Sequence, residues 1–255
     1  MKGRCYTVTG AGTGLGKATA LLLARKGAFV VVAGLDRAAG EQTVAEIKAA
    51  GGEATYVQTD ISKESDCARM VQAALDRYGR LDGAVNNAAA ATIPEKMHLK
   101  SIAHWQQVID VNLTGTFLCM KHQVVPMLAA GGGAIVNVSS VSGIRGYDVA
   151  CDYGASKGGI ISLSMHGAAE YGPMNIRVNA LLPGPMPTPM LEEVAGKYQG
   201  VYDAAIAQTM LGRISETTEV AEAAAWLLSD AASYVTGASL SVDGGMSASA
   251  ISRIS

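Results

Sequence analysis

Apolar residues recur along this chain in two alternating rhythms: short continuous runs, and longer stretches in which they return at helical spacing. Tyr6-Thr7-Val8-Thr9 reads as a short buried strand. A glycine turn follows, and over 15–26 the apolar positions repeat with the helical period up to Gly27. The alternation continues with strands over 29–33, 54–58, 83–86, 134–138, 176–182 and 239–242. Helices are predicted over 40–50, stopped by Gly51-Gly52, over 64–78, stopped by Gly79, and over 102–128, 153–171 and 219–228.

Short apolar strands separated by helices demand parallel pairing, because each crossover returns the chain to the same edge of the sheet. Unbroken apolar strands also fit a sheet covered on both faces. The pattern predicts a doubly wound α/β fold with a parallel sheet. No Pro/Ser-rich linker, shift of composition or internal repeat interrupts it, so a single domain over 1–255 is expected. The least regular stretch is 183–212, where Pro183, Pro185, Pro187 and Pro189 cluster out of only 7 prolines in the chain. A substrate loop around 185–212 is expected there.

Composition narrows the function. A hydrophobic content of 49% and a mean hydropathy of +0.22 exclude disorder, and 30 glycines with only 5% aromatics are unlike an all-β sandwich. Twenty Lys and Arg against 22 Asp and Glu leave no positive surplus to hold a nucleic acid. The longest apolar runs, near 20–24 and 29–33, fall far short of the roughly 20 residues of a spanning helix. The start shows no apolar stretch with a small-residue cleavage site, so no membrane association and a cytoplasmic location are expected. Cys5, Cys67, Cys119 and Cys151 form no C-x-x-C pair and read as buried free thiols. His98, His104, His122 and His166 lack metal-ligand spacing, and no metal is expected.

The chemistry begins in the first turn. Thr9-Gly10-Ala11-Gly12-Thr13-Gly14-Leu15-Gly16 lies between the first strand and the first helix, where backbone amides and a helix N-terminus hold a pyrophosphate. The common G-x-G-x-x-G does not fit, since its third glycine would fall on Leu15 or Lys17; G-x-x-x-G-x-G fits Gly10, Gly14 and Gly16. A plain turn is the bland alternative, and the position inside a βαβ unit favours a dinucleotide. Tyr153 and Lys157 stand four residues apart, on one face of a helix. A phenol with an ordinary pKa of ~10 is a poor base at neutral pH, and a neighbouring ammonium favours its phenolate. The alternative is a Tyr-Lys pair on a solvated face. Ser139 and Ser140 end the fifth strand, where adjacent side chains point to opposite sides, so only one faces a ligand; Ser142 lies just beyond. Asn112 interrupts an apolar stretch over 108–118, where an amide needs partners.

Taken in order, these motifs resemble the short-chain dehydrogenase/reductase family over essentially the whole chain. The resemblance rests on T-G-x-x-x-G-x-G, Asp60 after the third strand, Asn86-Asn87-Ala88 after the fourth and Asn112 in Asp110-Val111-Asn112-Leu113. Ser139-Ser140, Tyr153-x-x-x-Lys157, Pro183-Gly184 with Thr188, and Val242-Asp243-Gly244-Gly245 complete it. It implies a Rossmann-like domain with about seven strands, and an oxidoreductase moving a hydride between NAD or NADP and a secondary alcohol or ketone.

In the family's terms Gly10, Gly14 and Leu15 line the phosphates, with Thr13 and Gly16 in the same turn, and Asp60 with Ile61 holds the adenine. Asn87 and Ala88 flank the adenosine ribose, Leu35 and Asp36 lie where its 2′ position is read, and Pro183, Gly184, Met186 and Thr188 seat the nicotinamide. Tyr153 is the general acid/base. Lys157 lowers its pKa and hydrogen-bonds the nicotinamide ribose. Ser140, thirteen residues before Tyr153, holds the substrate oxygen, and Asn112 links a relay through water to Lys157. Ala89 replaces the glycine of the usual N-N-A-G, where its methyl is expected to crowd the strand end.

Gly34 takes the place of the aspartate that selects NAD, Leu35 the place where many NADP enzymes carry arginine, and Thr13 that of a basic residue. Acceptance of both cofactors with NAD slightly favoured is expected. The competing reading, a non-catalytic NAD(P)-binding sensor, would lack one of Ser140, Tyr153 or Lys157, and all are present. The resemblance also implies a homotetramer paired through 102–128 and 153–171, with Ile160, Ile161, Leu163 and Ala168 serving either that interface or the core. The substrate pocket is expected from 142–152 and 188–212. These mix Ile144, Val149, Met190, Leu191 and Met210 with Arg145, Tyr147, Asp148 and Asp152, and suit a medium-sized, partly apolar alcohol or ketone.

Overall fold

Strand β1 (Cys5–Thr9) buries every residue, because helices cover the sheet on both sides. A computed structural model describes residues 1–197 and 199–248; Tyr198 and the end of the expected domain, 249–255, lie outside the described residues. After β1 the chain runs α1 (Gly14–Arg25), β2 (Phe29–Gly34), α2 (Arg37–Ala49), β3 (Glu53–Gln58), α3 (Glu64–Tyr78) and β4 (Gly83–Asn86). Its second half holds α4 (Ile102–Ile109), α5 (Gly115–Ala129), β5 (Gly133–Val138), α6 (Cys151–Tyr171), β6 (Ile176–Pro183), α7 (Pro189–Lys197), α8 (Val201–Ala207), α9 (Thr217–Leu228) and β7 (Ser239–Val242).

The seven strands are all parallel, in the order β3-β2-β1-β4-β5-β6-β7. Alternation along each strand divides the core. Val30 and Val32 join Tyr6 and Val8 under α1 and α9, while Val31 and Ala33 join Cys5 under α3 and α5. On the side of α5 and α6 runs one buried polar ladder. Asn86 exchanges hydrogen bonds with Gln123 (2.9 and 3.0 Å) and donates to Asn137 (2.9 Å), which donates to Ser164 (2.9 Å). Buried amides are satisfied here by one another. The strand order reverses between β1 and β4, which opens a crevice beyond their carboxyl ends.

Three departures from the sequence reading matter. The helix predicted over 102–128 is broken into α4 and α5 by a π-helical turn, Asp110–Thr114, centred on Asn112. The stretch around 185–212 contains α7 and α8: Pro189 opens α7, where a missing amide hydrogen costs nothing, and the Thr188 hydroxyl accepts from Leu191 N at 3.3 Å. Helix α2 begins at Arg37 rather than Gly40, because the Asp36 carboxylate caps it by accepting from Ala39 N at 3.1 Å. Of the cysteines, Cys5, Cys67 and Cys119 are buried free thiols and Cys151 is half-buried. Ile160 and Ala168, offered for interface or core, belong to the core. No helix among the described residues is long and apolar enough to cross a membrane.

Candidate active site

The turn after β1 is built by close approach. Gly10 (φ +64°) and Gly14 (φ +51°) take left-handed backbone conformations, and a Cβ on Gly16 would collide with the Gly10 carbonyl oxygen and come within 2.6 Å of Asn87 Nδ2. The Thr9 hydroxyl accepts from the amides of Asn87 (2.9 Å) and Ala88 (3.0 Å), and Asn87 Nδ2 donates to Thr9 O (3.0 Å). The end of β4 is thereby sewn to the turn, and the N-terminus of α1 points into a cleft of about 570 Å³.

That cleft collects most of the predicted residues. Gly10, Thr13, Gly14, Leu15, Asn87, Ala88, Ser140, Tyr153, Lys157, Pro183, Gly184, Met186 and Thr188 line it. Gly184 is fixed by contact, since a Cβ there would lie 2.7 Å from Asp243 Cα. The Asp243 carboxylate in turn accepts from Gly245 N (2.9 Å) and Ser247 N (2.7 Å), which gives the Val242-Asp243-Gly244-Gly245 motif a supporting role beneath the cleft. Ala89 also lines the cleft. It is not among the residues with positive φ, so its methyl meets none of the backbone penalty expected of a glycine replacement.

Other predicted residues sit elsewhere. Gly16 lies behind the turn as a contact position. Leu35 is exposed at the end of β2, next to the capping Asp36. The Asp60 carboxylate accepts from the Ser62 hydroxyl (2.6 Å) and amide (3.1 Å). Those bonds and Lys63 hold it below the usual carboxylate range against the opposing effect of burial. Ile61 is buried against Gly115. These residues follow β2 and β3 and do not line the 570 Å³ cleft.

Among the serines, Ser139 Oγ donates to Lys157 O (2.7 Å) on the inner side. Ser140 Oγ accepts from Ser142 N (3.1 Å) and lines the cleft together with Tyr153. Lys157 is 2% exposed; its Nζ donates to Val138 O (2.9 Å) and lies 5.4 Å from the centre of the Tyr153 ring. The sequence reading had the ammonium lowering the tyrosine pKa. Here burial dominates both groups, raising Tyr153, with Ser140 opposing, and lowering Lys157 to about 8. The lysine stands over the ring face and spends a proton on a carbonyl, so its field does not offset the tyrosine's desolvation.

Asn112 is fully buried and satisfied: Oδ1 accepts from Ala90 N (2.7 Å), and Nδ2 donates to Ala90 O (3.1 Å) and Ser156 Oγ (3.1 Å). The structure therefore places it on the 88–90 turn and beside Ser156, with no direct bond to Lys157.

Of the residues expected to shape the pocket, Ser142, Tyr147 and Leu191 line it, whereas Ile144 and Met210 are exposed outside it. The Met190 side chain lies outside the described residues. Asp152 is wholly buried in a polar network rather than facing the cleft. Thr92 lines the cleft and was missed, because it stands in an irregular segment that carries no motif.

Comparison with known proteins agrees with this geometry. The family described as enoyl-(acyl carrier protein) reductase matches residues 10–247. The chain is 43% identical to 2,5-dichloro-2,5-cyclohexadiene-1,4-diol dehydrogenase of Sphingobium indicum, over 97% of this chain and 98% of that one. It is 44% identical to cis-4-hydroxycyclohexanecarboxylate dehydrogenase of Sinomonas cyclohexanicum, over 96% and 97%. The crystal structure of levodione reductase superposes with a TM-score of 0.93 at 34% identity, covering 98% of this chain and 99% of that one. Paired with a parallel sheet that reverses at a glycine turn, these likenesses mean that the chain belongs to the short-chain dehydrogenase/reductase family, whose members are NAD(P)-dependent oxidoreductases acting on CH-OH groups.

Proposed function

We propose that the protein interconverts a neutral, ring-borne secondary alcohol and its ketone, with NAD slightly favoured over NADP. One observation carries the reading: Ser140, Tyr153 and Lys157 meet in a cleft whose remaining wall is mostly apolar, from Val138, Ala150, Pro185, Met186 and Leu191. Two relatives bear names of substituted six-membered carbocycles, which suits such a wall. Among the described lining residues Lys157 is the only cation and no carboxylate is present. A ring carboxylate would enter without a free counter-charge, a costly burial.

The residues fit a dinucleotide, since Gly10, Thr13, Gly14 and Leu15 bring the glycine turn and the N-terminus of α1 to the wall of the cleft. In this reading the amides of Thr13, Gly14 and Leu15 hold the pyrophosphate and Gly10 gives it room. Asp60 and Ile61 take the adenine, Asn87 and Ala88 flank its ribose, and Pro183, Gly184, Met186 and Thr188 seat the nicotinamide. When bound, the nicotinamide supplies the hydride acceptor.

The chain's own residues do the rest. The Ser140 hydroxyl holds the substrate oxygen, and Tyr153 as phenolate takes the hydroxyl proton while the carbon becomes a carbonyl. In reduction the phenol returns that proton. Lys157, standing over the Tyr153 ring, hydrogen-bonds the nicotinamide ribose. Asn112, through Ala90 and Ser156, fixes the walls on either side, and the water relay the family implies starts beside it. With all three catalytic groups in one cleft, a non-catalytic sensor is not favoured.

The test is nucleotide reduction with a panel of cyclohexanol, cyclohexanediols and cyclohexanecarboxylates, each with NAD and NADP. Neutral ring alcohols should exceed the carboxylates by about tenfold in kcat/KM. Tyr153→Phe should abolish turnover while nucleotide binding, read by fluorescence, survives. Retention of more than about a twentieth of the rate would remove Tyr153 from the chemistry. No alcohol-dependent reduction of either nucleotide would overturn the substrate class.

A further inference from the structure

Asp152, the residue before Tyr153, is 0% exposed, with two hydrogen-bond donors and one ion-pair partner. Its Oδ1 accepts from Tyr153 N (2.8 Å) and from the Thr92 hydroxyl (2.6 Å). Its Oδ2 faces Lys100 Nζ at 3.1 Å and His104 Nε2 at 3.3 Å. The Lys100 side chain is 3% exposed, and its Nζ donates to Thr92 Oγ1 (3.0 Å) and Ile93 O (2.8 Å), so it meets Asp152 Oδ2 as a charge and not through a hydrogen bond. His104 Nε2 accepts from Ile93 N (3.0 Å), which puts the imidazole proton on Nδ1 and leaves Lys100 as the only counter-charge to the carboxylate. Burial pushes the Asp152 carboxyl up, but the Thr92 hydroxyl, the Tyr153 amide and Lys100 together hold it below its usual range. The acid is charged.

What this ion pair joins is specific. Residues 87–100 have no helix or strand, yet Ala88, Ala89 and Thr92 in that segment form one wall of the cleft. The wall is pinned at Ala90 by Asn112, at Thr92 and Ile93 by Asp152, Lys100 and His104, at Glu95 by its amide to Val149 O (3.2 Å), and at Lys96 by Asp148 (2.7 Å). The centre of this brace is one oxygen, Asp152 Oδ1, shared by the backbone of the acid/base residue and a hydroxyl of the cleft wall. Fully buried ion pairs add little net stability; what they supply is a fixed geometry.

We propose that Asp152 and Lys100 are positioning residues. They lock the irregular wall carrying Thr92 to the turn of α6 carrying Tyr153, and so set where the substrate ring rests relative to the tyrosine hydroxyl. This rests on the proposed role of Tyr153. Thr92→Val keeps the shape and the charge pair but removes the shared hydroxyl. Asp152→Asn removes the charge, and Lys100→Met removes its partner.

Kinetics of cyclohexanol oxidation with NAD, measured well below each variant's Tm, should split. Thr92→Val should raise the alcohol KM about fivefold or more with kcat within about twofold. Asp152→Asn and Lys100→Met should lower kcat about tenfold or more, with nucleotide Kd within about threefold. A lowered Tm with unchanged kcat and KM would reduce the network to stability alone and overturn the proposal. Should either charge variant fail to fold, the KM shift of Thr92→Val decides. Absence of wild-type turnover on ring alcohols would count against the substrate class instead. In that case hydrogen-deuterium exchange over 88–99 decides this inference: it must quicken about tenfold in Thr92→Val and Lys100→Met, and unchanged exchange overturns it.

Discussion

Burial acts on Tyr153 and Lys157 with opposite sign of charge and the same result, each pushed towards its neutral form. The consequence for pH can be worked out group by group. Ketone reduction needs the phenol, which a raised pKa keeps across the neutral range, and a charged Lys157, which the free protein loses near pH 8. The kcat/KM for a ketone should therefore fall above about pH 8. Alcohol oxidation needs the phenolate, whose population grows with pH, so its kcat/KM should rise through the same window. Rate profiles in both directions test this, and a flat reduction limb from about pH 7 to 9 would show that the lysine charge plays no part. Nucleotide preference is decided at another residue. A Cβ on Gly34 would meet nothing nearer than Gly10 Cα at 4.0 Å, so an aspartate fits there without repacking. Gly34→Asp should add contacts to the ribose hydroxyls and repel a 2′-phosphate, raising the NAD:NADP ratio of kcat/KM by about tenfold, or ~1.4 kcal/mol. An unchanged ratio would mean that this strand end does not read the ribose.

At the scale of elements, the junction of β1 with α1 depends on the missing side chain at Gly16. A methyl there has no flexible neighbour to displace, since it meets the Gly10 backbone, so the helix must move. Gly16→Ala should cost about 2 kcal/mol of stability, and nucleotide affinity should fall by about tenfold, because the amides of Gly14 and Leu15 move with the helix. Denaturant unfolding and a binding titration measure the two, and wild-type values in both would show that α1 tolerates the shift. Elements also mark how far local pattern reaches. The Tyr153 and Lys157 pair was legible because helical spacing alone places both on one face. The π-helical turn at Asp110–Thr114 was not, since the apolar rhythm runs straight through it and the break is compensated by Asn112 bonding Ala90, 22 residues away. Helices α7 and α8 were obscured by prolines that precede them and that, at Pro189, begin one.

Across the whole molecule, the outer layer of α4, α5 and α6 leaves large apolar side chains in solvent. Ile102, Phe117, Val125, Leu128 and Met165 are exposed there, and on α5 they recur at helical spacing. We propose that this stripe serves association between copies of the chain. A homotetramer paired through these helices is the expected state, and a monomeric mass by light scattering at micromolar concentration would contradict it.

The order of strands and helices, the glycine turn and the spacing of Ser140, Tyr153 and Lys157 were determined by the sequence itself, because each depends on neighbours within a few turns of chain. Only tertiary structure decided that Ser139 bonds the Lys157 carbonyl, that burial outweighs the lysine in setting the phenol's pKa, and that Asp152 bonds Thr92, 60 residues away. Those outcomes rest on which groups lose their water and which distant partners replace it, and that is fixed by packing between elements rather than by any local pattern.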